Sequence, residues 1–277
     1  MSKRIGALTV PGTVLHYQVR GAGPLLLISQ SGEGDADRTT DLVAHLTDTY
    51  TVVTYDRRGL SRSRLRAADE GATLAEHADD VHRLLAHLTD APALMLGCSL
   101  GAVIGMHAAL RHPGQIGTLI AHEPVAPRLL PDIERTRHEH ELAAIQGLYL
   151  HQGLGAALPE IVRTLGIDPA ATNAEPDLTS HPMNAQRAAN FDYFIRHDFT
   201  AVVHDTLDTS ALKGLSTRIV PAVGRTTPRT VFDYQCATAL AELLDRELQE
   251  LPGGHNGNTT HPRAYATRIR EILNDAR

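Results

Sequence analysis

The run Leu94-Met95-Leu96-Gly97-Cys98-Ser99-Leu100-Gly101 constrains this chain more than any other stretch. An apolar segment meets a Gly97-x-Ser99-x-Gly101 turn, and an apolar helix over 102–111 follows. That is the spacing of a nucleophile elbow, with a serine at the tip of a sharp strand-to-helix turn. Both glycines have a steric reason, because side chains two residues either side of the tip would run into the crossing backbone. The helix that follows aims its first N–H groups at the point where an oxyanion would develop. A bare G-x-S-x-G also describes an ordinary Gly/Ser turn. The apolar run before it, and Val103, Ile104, Met106, Ala109 and Leu110 after it, favour the elbow.

The rest of the chain alternates strand and helix around that turn. Residues 5–10 and 14–19, separated by Pro11-Gly12, read as an antiparallel hairpin. Leu25-Leu26-Leu27-Ile28 is a continuous apolar run, as a central parallel strand should be. A small-residue loop, 29–35, follows it, and 41–46 looks helical. Strands are expected at 50–55 and 116–121, with an amphipathic helix over 74–88. The strand at 50–55 runs into a loop with Arg57, Arg58 and Arg62, read as holding that loop over the sheet edge. Between about 127 and 212 the alternation breaks into polar helices, expected at 129–148, 154–165 and 183–195. The strand pattern then resumes at 218–223 and 248–251, with helices over 231–244 and 262–273. The fold class is therefore α/β, a doubly wound, mostly parallel twisted sheet flanked by helices, with an inserted helical cap. The expected division is a core of 1–126 and 213–277 and a cap insertion of 127–212.

Composition narrows the partners. A chain of 277 residues can bury one large core or a core with a smaller insertion. Its formal net charge is -6, with Lys and Arg scattered, which argues against nucleic acid. Cys98 and Cys236 make no disulfide framework and are read as two buried thiols. The first residues carry no apolar leader core, and no apolar run approaches a membrane span, so a cytoplasmic location without membrane partners is expected.

A serine hydroxyl needs a neighbouring imidazole to take its proton. Of 16 histidines, His255 stands apart. It follows the last strand on the loop Pro252-Gly253-Gly254-His255-Asn256-Gly257, at the sheet edge where such folds bind ligands. His138 and His140 are two apart on a helix and do not share a face, so a solvated charged face is expected there rather than a metal site. For the acid, the loop after 218–223 offers no carboxylate. Asp233 comes after the next helix has begun and is expected to point elsewhere. Glu123 directly follows the strand at 116–121 and is placed to orient His255; its alternative is a salt bridge or helix-cap charge.

The elbow and the histidine loop together resemble the α/β-hydrolase superfamily. Four segments are similar to the zearalenone lactone hydrolases: Gly97 to Ala102, His122-Glu123-Pro124 with Leu129-Leu130-Pro131-Asp132, Val223 to Pro228, and Leu251-Pro252-Gly253-Gly254-His255. Those enzymes open a macrocyclic lactone without a cofactor, using a Ser–His–Glu triad. Carried over position by position, the resemblance implies Ser99, His255 and Glu123 as the catalytic residues. It departs from the family in two places: the chain has no Trp, where the family uses one in its cap, and Ser31 stands where the family has glycine.

The activity expected on these grounds is cofactor-independent hydrolysis of an ester or (macro)lactone through an acyl-enzyme. Backbone N–H groups of Leu100 and Ser31 are the expected oxyanion donors, and Gly32, Tyr193 and Phe194 the expected substrate-binding residues. No metal or cofactor is required. The expected partner is a small-molecule ester or lactone, and the expected assembly, where one forms, is a homodimer. Thioesterase, peptidase or C–C-bond hydrolase chemistry would use the same three groups. A binding or isomerising protein on this scaffold is the alternative from another class. Dehalogenase and epoxide-hydrolase chemistry is disfavoured, because both need a carboxylate where Ser99 stands.

Overall fold

The computed structural model describes residues 3–66 and 71–274. Eight strands, β1 (Arg4–Val10), β2 (Thr13–Gly21), β3 (Leu25–Ser29), β4 (Thr51–Tyr55), β5 (Ala93–Cys98), β6 (Ile116–His122), β7 (Arg218–Gly224) and β8 (Gln249–Leu251), form one sheet. Its order is β1-β2-β4-β3-β5-β6-β7-β8. The first two strands pair antiparallel with each other, and β2 with β4; every pair from β4 to β8 is parallel. The parallel strands are the apolar runs of the sequence, since a strand covered on both faces has no solvent side to fill with polar residues.

The helices are α1 (Thr40–Leu46), α2 (Leu74–Leu88), α3 (Leu100–Arg111), α4 (Asp132–Gln152), α5 (Leu154–Thr164), α6 (Ala185–Tyr193), α7 (Phe199–Val203), α8 (Phe232–Leu244), α9 (Gly257–Thr260) and α10 (Pro262–Asn274). One sheet face packs against α2, α3 and α8 through Val81, Leu85, Val103, Met106, Phe232 and Leu240. The other packs against α1 and α10 through Leu42, Leu46, Tyr265 and Ile269. Thr73 and Glu76 close a reciprocal capping box at the start of α2, satisfying N–H groups a helix end would otherwise leave bare.

Between β6 and β7 the regular elements are all helices, in line with the insertion expected there. The helix expected at 129–148 runs from Asp132 to Gln152, and the largest difference is in the third helix. The helix expected to end at 195 continues through a π-helical turn, Phe194–Asp198, into α7. The polar run Arg196-His197-Asp198 looks like a helix end, yet the wider turn carries Ile195, Asp198, Phe199 and Val202 to the buried side together. Gln146 of α4 donates its amide to the carbonyls of Ile195 and Arg196, at 2.9 and 2.8 Å, and so satisfies groups the turn leaves out of step. The insertion is tied to the core by Asn190, which accepts from the Ser61 N–H at 2.9 Å, and by Arg187, which pairs with Glu33 at 2.7 Å.

His138 departs from the solvated face expected of it. It is buried, stacks on Phe232 with ring centres 4.8 Å apart and lies 3.1 Å from Glu141, whereas His140 is exposed. Cys98 and Cys236 are both free and buried. Among the described residues, no helix is long and apolar enough to cross a membrane.

Candidate active site

The parallel ladder brings the C-terminal ends of four strands side by side. Cys98 at the end of β5 pairs with His122 at the end of β6, His122 with Ala222, and Gly224 with Leu251. The ladder runs one residue past each of two strands. The Ser99 N–H donates to the His122 carbonyl at 2.8 Å, and the Glu123 N–H to the Ala222 carbonyl at 2.9 Å. Both residues then break away from the sheet with positive φ, 55° at Ser99 and 44° at Glu123. A non-glycine residue held there typically costs about 1–3 kcal/mol, and such strain concentrates at functional sites.

At the elbow, a Cβ on Gly97 would sit 2.6 Å from the Ala102 Cα, and one on Gly101 would press into the Ser29 carbonyl. The steric reason read from the sequence is therefore local and specific. Helix α3 starts at Leu100, two residues earlier than expected, because the turn at Ser99 is a single residue. Leu100, as the first helical residue, has an N–H with no acceptor inside the helix. Ser31 lies in the loop after β3, on the other side of β5 from the acid.

His255 follows β8 and is buried together with Ser99 and Glu123. Its Nδ1 is 2.7 Å from Glu123 Oε2, and the other Glu123 oxygen accepts the Gly224 N–H at 2.7 Å. A second carboxylate is present that the sequence reading set aside. Asp233 Oδ2 is 2.6 Å from the same Nδ1, and Asp233 is fully buried. The expectation that Asp233 points elsewhere is thus corrected. Asp233 stands in the first turn of α8, and helical side chains lean toward the N-terminus, here toward the sheet edge. That position, in the first turn of the helix after β7, was the available signal.

These charges set the protonation of the site. Burial alone would lower the proton affinity of His255, but Asp233 and Glu123 reverse the sign and raise its pKa to about 10. Burial pushes the Glu123 carboxyl up, yet His122 and His255 hold it below the usual carboxylate range. Burial pushes the Asp233 carboxyl up, to about 6; His255 opposes the rise and the charge of Glu123 adds to it. His122, whose ring centre lies 6.4 Å from that of His255, is kept neutral by burial, with its pKa down to about 4.

Above Ser99 lies an apolar cavity of about 20 Å³, room for little more than one water. Its walls are Ser99, Leu100, Val125, Leu142, Ile145, Ile161, Thr164, Leu165, Phe194, Phe199 and Val202. Of the residues expected to meet substrate, Phe194 is in this wall and its ring covers Gly32, where a Cβ would collide with it. Tyr193 turns the other way, over Gly59, with its ring 4.8 Å from that of His197. On the far side His255 borders a polar cleft of about 640 Å³ between 166–174, 254–256 and 260–261.

The fold is one that known proteins share. Residues 24–207 match the family described as the alpha/beta hydrolase fold. The chain belongs to the α/β hydrolase family. It is similar, at 38% identity over 273 residues, to the uncharacterized hydrolase YraK of Bacillus subtilis (strain 168), covering 97% of this chain and 95% of that one. In fold, this α/β hydrolase is similar to a thermophilic esterase from Thermogutta terrifontis, with a TM-score of 0.72, 19% identity and 99% of each chain covered. It is likewise similar to the enol-lactonase from Burkholderia xenovorans LB400, with a TM-score of 0.70, 21% identity, and 97% of this chain and 100% of that one covered.

Proposed function

We propose that the enzyme is a cofactor-independent serine hydrolase that cleaves a carboxylic ester or lactone through an acyl-enzyme, with Ser99 as nucleophile, His255 as base and Glu123 as orienting acid. The observation that carries this reading is the strained Ser99 backbone, at the edge of an apolar cavity and on the same sheet edge as a buried His255–Glu123 pair. Glu123 holds the ring through Nδ1, which leaves Nε2 to take the Ser99 proton as Oγ attacks the carbonyl carbon. The N–H groups of Leu100 and Ser31 receive the oxyanion, each such donor typically being worth about 3 kcal/mol in the transition state. Collapse expels the alkoxide, which takes the proton from His255. Water, approaching through the polar cleft beside His255, repeats the sequence on the acyl-enzyme.

The acyl side of the substrate is apolar and short in this reading, since the wall over Ser99 is aliphatic and aromatic and the space is small. Phe194 over Gly32 forms part of that wall, and Tyr193 supports it from behind. A macrolactone of the zearalenone kind, which the four resembling segments imply, requires the helices over Ser99 to part first. Residues 127–212 act as a cap on a core of 1–126 and 213–277. The enzyme works in the cytoplasm on a soluble small molecule, alone or as a homodimer.

The test is a panel of p-nitrophenyl esters from acetate upward, alongside macrolactones, read by absorbance and mass spectrometry. Turnover of short-chain esters, lost in Ser99→Ala and on labelling of Ser99 by a phosphonate, is the expected result. Undiminished turnover in Ser99→Ala overturns the reading.

A further inference from the structure

His255 has two acids where the hydrolase reading uses one. Glu123 Oε2 and Asp233 Oδ2 lie 2.7 and 2.6 Å from the same ring nitrogen, and both side chains are fully buried. A neutral imidazole that keeps Nε2 free for Ser99 carries one proton on Nδ1. That proton lies along the line to Glu123, while neither oxygen of Asp233 has a hydrogen-bond partner among the described residues. Two ionised carboxylates buried around one neutral ring would repel each other and trap the ring as an imidazolium, unable to act as a base. One proton too few is therefore built into this cluster unless a carboxyl holds one.

The spacing also decides what the cluster is for. Two ligands on a zinc ion stand about 2.0–2.2 Å from it and, in tetrahedral geometry, well over 3 Å from each other. Contacts of 2.6 and 2.7 Å from nitrogen to oxygen are too short for groups spread around one metal ion.

Resting on the hydrolase reading above, we propose that Asp233 is a second positioning acid for His255, protonated beside an ionised Glu123 in the resting site and replacing Glu123 when that residue is neutral. Burial, opposed by His255 and helped by the Glu123 charge, raises the Asp233 carboxyl to about 6, in the same direction as the geometry. Among the described residues, the other titratable groups facing the cluster are His122 of β6, Cys98 of β5, Tyr265 of α10 and Cys236 of α8. All four are buried and kept uncharged by it near neutral pH. During attack on the ester, His255 gains the Ser99 proton at Nε2, the ionised Glu123 balances the new charge, and the Asp233 proton stays where it is.

The experiment compares Glu123→Gln, Asp233→Asn and the double variant on one p-nitrophenyl ester, with thermal midpoints to show that each is folded. In Glu123→Gln the Asp233 carboxyl ionises against the ring, so kcat falls only about 10- to 100-fold, against about 10⁴-fold when a sole triad acid becomes its amide. KM and the acid limb of kcat/KM stay close to those of the parent. Asp233→Asn alone costs less than about tenfold, and the double variant falls by about 10⁴. Glu123→Gln as inactive as the double variant overturns the proposal, and so does Asp233→Asn as inactive as the double. Should an amide variant fail to fold, Glu123→Asp gives the same reading. It withdraws one carboxylate by a methylene; activity kept within about tenfold supports a second acid and a loss of about 10⁴ overturns it. Ser99→Ala is run beside them. If that variant stays active the hydrolase reading itself fails, an outcome separate from the behaviour of the acids.

Discussion

Arg57 and Asp198 stand 141 residues apart in the chain, yet the guanidinium lies 2.7 Å from the carboxylate and both side chains are buried. The same guanidinium donates to the carbonyls of Ser31 and Gly32, at 3.2 and 2.6 Å, while Asp198 also lies 3.2 Å from His77 Nε2. One ion pair therefore joins the loop that carries the Ser31 N–H to the π-helical turn of the insertion. Burial raises the Asp198 carboxyl, but Arg57 and His77 overcome it and keep the group ionised.

Removing one member of such a pair leaves the other charge buried alone. Asp198→Asn should cost about 3 kcal/mol or more in denaturant unfolding. It should also lower kcat on a small ester more than it raises KM, because the loop carrying Ser31 loses its anchor. Loss of stability with unchanged kcat would confine Arg57 to a structural role.

The elbow glycines predict a contrast with a glycine that meets nothing. Gly101→Ala places a methyl group against the Ser29 carbonyl and should destabilise by about 1–3 kcal/mol, with activity lost. Gly147→Ala lies in α4 with nothing within 4 Å and should stabilise by roughly 0.5–1 kcal/mol with activity kept. Urea midpoints and turnover of one ester check both.

The two neighbouring aromatics should separate by function. Phe194→Ala opens the wall over Gly32 and should shift preference toward longer acyl esters. Tyr193→Ala, on the Gly59 side, should lower the thermal midpoint and leave the preference order intact. Rates across an acetate-to-octanoate series decide it, and equal effects of both variants would assign Phe194 to packing.

His122 gives stability a pH dependence. Its folded pKa of about 4 lies below the ordinary value of 6.5, so between those pH values the unfolded chain binds the proton and the folded chain does not. Stability from this group is full above pH 6.5 and is lost as pH falls toward 4, by up to about 3 kcal/mol. His122→Phe should flatten that part of the profile, as measured by urea midpoints at pH 7.5 and 5.

Local chemistry made much of this protein legible. The order of strands and helices followed from apolar runs and periodicity, because a buried parallel strand has no freedom to carry polar residues. Gly97 and Gly101 announced the turn at Ser99, because only a hydrogen fits where backbone crosses backbone. The positions of Glu123 and His255, directly after strands, placed both at the sheet edge that an α/β sheet reserves for ligands.

Other features were set by residues distant in sequence. Asp233 reads as an ordinary first-turn acid until α8 docks and aims it at His255. Arg196-His197-Asp198 reads as a helix end until Arg57 and His77 accept Asp198 into the interior. Tyr193 and Phe194 are adjacent and chemically alike, and only packing over Gly59 and Gly32 separates them. The sequence by itself determined the sheet, the elbow and the positions of the strand-end residues, because short-range sterics and hydrophobic pattern suffice for those. The tertiary structure alone decided which buried charges meet and which side chains wall the cavity. A buried charge is tolerable only beside a partner, and that partner is chosen by how the elements pack.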